Sequence, residues 1–405
     1  MQRNINRFLW LLLPVLVATG CDAPEARFRM NMAYLHKNEK KAEAFTAEQK
    51  ADVANILAAL FGTPDQPHLP QGAGLEDVIS IDRLKMAAGP VGVDEQGIAT
   101  GLYRQHCSHC HGVSGDGNGP TAAYLNPYPR DYRMGIFKFK STGKGTPPTH
   151  EDLLRILYEG VPGTAMPSFR LLPDIEREAI VDYVKYLAIR GQVERRLMED
   201  IAIELGPGER LDQSGEYLVG EIVASAVAKW SAAEEEVTEV PARPDDWNES
   251  AAIARGRELF HGAVANCVKC HGETQLGDGQ RTDYDEWSKD YEDFSKPMTD
   301  QEKQKLVDEL VELGGLPPRN IFPRNLREGI YRGGRRPEEL YRRITNGIDG
   351  TPMPAATMKP DDAPEQQQGL TAADVWCIVD YIRSLPYEPG GERATYGQEF
   401  KRERM

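Results

Sequence analysis

Positive charge is in short supply: 48 lysines and arginines stand against 63 aspartates and glutamates in 405 residues, a net charge of −15. A nucleic-acid partner is thereby disfavoured, because phosphate binding needs a basic surface. An acidic surface suits a protein partner with a basic patch instead. Long apolar runs are also scarce. The one near the start, Phe8 to Val17, is shorter than the ~20 residues that cross a bilayer, and a mean hydropathy of −0.53 argues against a bundle of membrane spans. Hydrophobic residues at 40% and charged residues at 27% argue against wholesale disorder. The length allows two or three domains, each large enough to bury a core. Cysteine is rarer still. There are six, Cys21, Cys107, Cys110, Cys267, Cys270 and Cys377, and four of them form two pairs with two residues between.

At the N-terminus, Arg3 and Arg7 precede the apolar run, and Ala18-Thr19-Gly20 follow it directly before Cys21. Basic, apolar, then small is the order of an export signal, so residues 1–21 are read as signal and not as fold material. Small residues immediately before a cysteine resemble the lipobox of bacterial lipoproteins. The resemblance implies a lipidated Cys21 that holds the protein on a membrane surface, on the periplasmic side. An ordinary cleaved signal with an incidental cysteine is the alternative.

The rest of the chain repeats itself. Cys107-Ser-His-Cys110-His111-Gly112 returns as Cys267-Val-Lys-Cys270-His271-Gly272, an offset of 160. Pro129-Arg130-Asp131 returns as Pro323-Arg324-Asn325, an offset of 194. The loop Gly160-Val-Pro-Gly163-Thr164-Ala-Met166-Pro167 matches Gly347-Ile-Asp-Gly350-Thr351-Pro-Met353-Pro354 at 187, and Ile180-Val-Asp-Tyr183 recurs as Ile378-Val-Asp-Tyr381 at 198. The changing offset places about 34 extra residues after the second cysteine pair. That insertion, residues 277–316, is polar and acidic; it reads as a surface excursion with one helix, capped at Thr299 and running through Leu306, Leu310 and Leu313.

Both copies read as helical, which makes the fold class all-α. Ile180, Val181, Val184 and Leu187 in one closing helix, and Ile378, Val379, Ile382 and Leu385 in the other, are spaced three to four apart, the period of one helix face. The domains follow: an N-terminal helical extension at 22–95 with a helix near 47–60, a first copy at 96–190, a helical linker at 191–247, a second copy at 248–388, and a charged, Gly-rich tail at 389–405 expected to fray.

Cys-x-x-Cys-His is the attachment signature of c-type haem. Two thiols one helical turn apart can each bond to one vinyl group of the porphyrin, and the adjacent histidine is then presented beneath the iron. A thioredoxin-like redox pair needs a βαβ setting, and a single zinc site needs its cysteine pairs about 15 to 20 residues apart. Neither condition is met. Two haems are therefore expected, one on Cys107 and Cys110, the other on Cys267 and Cys270.

Each copy has an apolar helix before Cys-x-x-Cys-His, a later Gly-Thr-x-Met-Pro loop and a closing helix bearing tyrosine, and so resembles a class I cytochrome c domain. The resemblance implies His111 and His271 as proximal iron ligands and Met166 and Met353 as distal ones. A thioether is a soft ligand that favours ferrous iron, in keeping with that role; Met358 lies near as a competitor for Met353. Arg130 and Arg324 share a repeat position from which they could neutralise haem propionates by paired hydrogen bonds or form helix-terminal salt bridges. His36, His68, His106, His109, His150 and His261 read as surface residues, and Cys377 as a small buried hydrophobe. A haem with protein ligands on both faces has no open position for substrate. The expectation is an electron carrier and not an enzyme: a membrane-attached dihaem cytochrome that serves redox protein partners of a respiratory chain, as a subunit of an oxidase or quinol-oxidising complex. The alternatives are a dihaem peroxidase of the bacterial type, in which one iron lacks its methionine, and a haem-based sensor with a displaceable ligand.

Overall fold

A computed structural model describes residues 25–40, 45–206, 208–364 and 366–388. The export signal with Cys21, and the tail from residue 389, lie outside the described residues. Before the first cysteine pair come helices α1 (Met32–Glu39), α2 (Ala47–Phe61) and α3 (Ile81–Ala87), then the two-residue strands β1 (Gly92–Val93) and β2 (Ala99–Thr100). The first copy contains α4 (Leu102–His106), α5 (Ser108–His111), α6 (His150–Glu159) and α7 (Asp174–Glu204). A π-helical stretch, Glu216–Val223, leads into α8 (Ala224–Ala232). The second copy contains α9 (Glu249–His261), α10 (Val268–His271), α11 (Asp300–Glu312), α12 (Pro337–Asn346) and α13 (Ala372–Ser384). The all-α reading holds: β1 and β2 pair antiparallel over two residues each, the only named strands among the described residues. No helix described is long and apolar enough to cross a membrane.

Most helices start where a short polar side chain can accept one of the first, otherwise unpaired, backbone N–H groups. Thr46, Thr149, Thr299 and Thr371 each do so with a reciprocal Gln, Asp or Glu three residues on, a capping box that satisfies two donors at once. Each cap contributes about 1 kcal/mol.

Two cores form. The first gathers Leu57 of α2, Leu84 of α3, Leu102 of α4 and Ile180 and Leu187 of α7, all 2% exposed or less. Residues before the first cysteine pair therefore share one apolar interior with the first copy. Helix α7 runs on past residue 190, the limit read for that copy, to Glu204. Its buried stripe continues through Val193, Leu197, Met198 and Ile201, and the indole N–H of Trp230 in α8 donates to Gln192 Oε1 at 3.0 Å. The second core gathers Phe260, Leu340, Val375, Trp376 and Ile378.

In each copy the helix before the cysteines crosses the closing helix through an aromatic pair. Tyr103 lies 4.7 Å from Tyr183 and Phe260 lies 5.5 Å from Tyr381, centroid to centroid. Gly256 lets α9 touch α13, since a Cβ there would stand 2.5 Å from the Cys377 carbonyl carbon and 2.8 Å from Tyr381 Cβ.

The acidic insertion departs from the expected surface excursion. Its helix α11 and Thr299 cap are as read, but Tyr284, Tyr291, Phe294 and Leu310 close a small core of their own, with Ala33 of α1 packed against it. Tyr291 stacks on His36 at 5.3 Å, Asp290 pairs with Arg195 of α7 at 2.6 Å, and Asp285 pairs with Lys138 at 2.5 Å. The segment braces the two halves. Its polar composition hides this because four aromatics in the short stretch from Tyr284 to Phe294 do the packing while the acids pair across it.

Candidate functional site

The four-residue helices α5 and α10 present the two cysteine pairs. In each, the histidine N–H donates to the first cysteine's carbonyl at 2.9 Å, so the thiols lie one turn apart with the imidazole just beyond. Gly112 and Gly272 then turn the chain at φ +74° and +78°, a region costly for any residue with a Cβ. Gly117 and Gly277 close the turn by donating to the His111 and His271 carbonyls, each at 2.9 Å. The thiols form no disulfide. Burial, aided by the neighbouring Cys110, pushes the Cys107 thiol up to about 12, and burial pushes Cys267 up to about 11. Thiols so protonated make poor redox nucleophiles, which need a depressed value. Among the described residues, no group of three His, Cys, Asp or Glu side chains converges as a metal site.

Each imidazole is held by a backbone carbonyl. His111 Nδ1 lies 3.0 Å from the Arg130 carbonyl and His271 Nδ1 lies 3.4 Å from the Arg324 carbonyl. A carbonyl can only accept, so Nδ1 carries the proton and Nε2 keeps a free lone pair for a metal. Burial also drives His111 down to about 4, and lowers His271. Both rings are neutral at pH 7. The shared repeat position of Arg130 and Arg324 thus serves the histidines through main-chain oxygen. The Arg130 guanidinium rests 3.4 Å over the ring of Trp287, while that of Arg324 bonds the Ile330 carbonyl at 2.9 Å and Glu328 at 3.0 Å.

The two methionine loops carry one hydrogen-bond pattern. Thr164 Oγ1 donates to the Val161 carbonyl at 2.8 Å and accepts from the Met166 N–H at 3.1 Å. Thr351 Oγ1 donates to Ile348 at 2.8 Å and accepts from the Met353 N–H at 3.2 Å. Val161 and Ile348 in turn donate to the carbonyls of Met166 and Met353. Gly160 and Gly347 enter the loops at φ +71° and +69°, where a Cβ would run into the backbone of Pro167 or of Pro354 and Ala355. Both methionines are half-buried, and Met166 packs against the first core. Phe169 returns edge-on to His106, 6.0 Å away, which lays this loop beside the end of α4. Met358, the competitor, is 39% exposed.

Among the other histidines, His68 and His109 are exposed, His150 binds Glu178 at 2.6 Å and His261 the Arg257 carbonyl at 2.9 Å. Cys377 is buried on α13. Sequence reasoning missed Lys138 and Arg332, which share the 194 offset of Arg130 and Arg324 and lie where the two copies meet; extending that match by eight residues would have found them. In each copy two thiols, an imidazole with a free Nε2 and a thioether loop recur with the same local hydrogen bonds.

Two stretches of the chain match known families. Residues 98–184 match the family described as cytochrome c oxidase, cbb3-type, subunit III, and residues 253–386 match cytochrome c. Each match spans a cysteine pair and its methionine loop; the first ends within α7 and the second runs past the end of α13. No curated protein matches the chain. Among solved structures, a chain of the Kuenenia stuttgartiensis reducing HAO-like protein complex is similar at 23% identity, over 73% of this chain and 98% of that one, with a TM-score of 0.44.

Proposed function

From a c-type cytochrome with two cytochrome c domains in tandem, we propose a dihaem electron carrier, attached to a membrane through lipidated Cys21 on the periplasmic side. It passes electrons between respiratory partners as a subunit of an oxidase or quinol-oxidising complex. Haem would supply the one-electron chemistry; the chain's own residues would tether it and hold its iron. The observation that carries this reading is the identity of the two loops. Both copies hold a histidine by a carbonyl on its Nδ1 and a methionine by a Gly-Thr loop with the same three hydrogen bonds. His111 and Met166 would hold the iron of one haem, and His271 and Met353 that of the other. Iron held by a histidine and a methionine would have no open position for peroxide, which suits a carrier and disfavours a peroxidase. The net charge of −15 fits redox partners that present a basic docking surface.

Replacing either methionine tests this. Met166→Ala and Met353→Ala should each remove about half of the weak sulfur-to-iron absorption band of the oxidised protein and create one high-spin haem that binds carbon monoxide when reduced. A band that survives both substitutions at full strength contradicts the assignment. A wild-type protein with one high-spin haem and peroxide turnover supports the dihaem enzyme instead.

A further inference from the structure

Arg130 and Lys138 of the first copy are related by the 194 offset to Arg324 and Arg332 of the second, and the fold brings these four cations to the junction between copies. Each arginine packs against the other copy. Arg324 reaches the first loop, where a Cβ on Gly163 would lie 2.8 Å from its Nη2. Arg130 does so through Trp287, whose ring carries the guanidinium at 3.4 Å and abuts the second loop, a Cβ on Gly350 falling 2.7 Å from Cη2. Lys138 Nζ lies 5.6 Å from the same ring. Between Lys138, Lys140 and Lys144 on one side and Arg342 and Arg343 on the other runs a cleft in which Asp349 is the one acid.

The charge does not balance. Lys138 pairs with Asp285 and Arg324 with Glu328, but among the described residues neither Arg130 nor Arg332 forms an ion pair, and Arg332 Nε is buried without a hydrogen-bond partner. Arg130 and Arg332 are half-buried, and a cation partly withdrawn from water is disfavoured unless an anion reaches it. Burial, and then the charges of Arg130 and Arg332, pull Lys138 down to about 8 despite Asp285, as expected for cations crowded together.

We propose that Arg130, Lys138, Arg324 and Arg332 form one shared junction for the carboxylate edges of both haems, so that each centre feels cations supplied by the other copy. This rests on the two-haem reading above. Removing a positive charge makes adding an electron to either iron less favourable, so a shared cation affects both potentials.

The test is a spectroelectrochemical titration of the full protein and of Lys138→Gln, Arg332→Gln and Arg332→Lys, each first checked for helical content by circular dichroism. Both midpoint potentials should fall in each Gln variant, and neither should fall in Arg332→Lys, which keeps the charge. A shift confined to one of the two redox components, or no shift, overturns the junction while leaving the dihaem reading intact. A wild-type haem count below two overturns both. Should the Gln variants lose helicity, the comparison passes to Lys138→Arg and Arg332→Lys against wild type at high salt. Unequal loss of the two potentials with rising ionic strength then counts against sharing.

Discussion

Replacing Thr164 by valine keeps the shape of the methionine loop and removes its hydroxyl. Two hydrogen bonds go: the one donated to Val161 and the one accepted from the Met166 N–H. A typical bond contributes about 1 kcal/mol net, and an N–H left unpaired costs about 1 to 3 kcal/mol when buried. Met166 is half-buried, so water partly replaces the lost acceptor and the low end applies. The sum is about 2 kcal/mol, or roughly thirtyfold at 1.4 kcal/mol per factor of ten. The bond from the Val161 N–H to the Met166 carbonyl remains, so the loop loosens without unfolding. Titrating oxidised protein with imidazole, which competes for the distal position, reads this directly. One haem of Thr164→Val should bind imidazole up to about thirtyfold more tightly than wild type. Thr351→Val should do the same at the other haem, and Thr164→Ser should behave as wild type. Imidazole affinities unchanged within about twofold in both valine variants, well inside the ~1 kcal/mol expected of one bond, would refute the reasoning.

Two further outcomes are expected. Gly256→Ala adds a methyl that meets the Cys377 carbonyl and Tyr381. Overpacking of this kind costs about 1 to 3 kcal/mol and outweighs the ~1 kcal/mol that alanine gains in a helix, so chemical denaturation should show the second copy unfolding earlier; equal or greater stability would mean that α9 and α13 do not touch there. Cys21→Ser should shift the protein from the membrane to the soluble fraction of cells that process lipoproteins, and unchanged partitioning would remove the lipid anchor from the account.

Much of the candidate site's local structure was legible because it is built within short segments. Cys107 to His111 and Cys267 to His271 occupy five residues each, and the methionine loops announce themselves through glycines at positive φ and a threonine that bonds within its own turn. The closing helices were legible in part: period and cap gave α13, whereas α7 runs past its expected limit because the stripe from Val193 to Ile201 packs on a different neighbour. Long-range pairings left no such signal. Nothing in the spacing of Arg130 says that its carbonyl, and not its guanidinium, holds His111. The acidic insertion read as surface because its paired acids dominate its composition, although Trp287 and Tyr291 fix its position. Residues 25–95 gave a correctly placed helix at Ala47–Phe61 but no hint that they complete the first copy's core.

Covalent attachment of haem at both cysteine pairs is what a dihaem carrier requires above all. Protein purified from cells able to mature c-type cytochromes, extracted with acidified acetone and quantified as the alkaline pyridine complex, tests it directly. Two equivalents of haem per chain should stay with the polypeptide. One equivalent, none, or pigment that leaves with the solvent would contradict it.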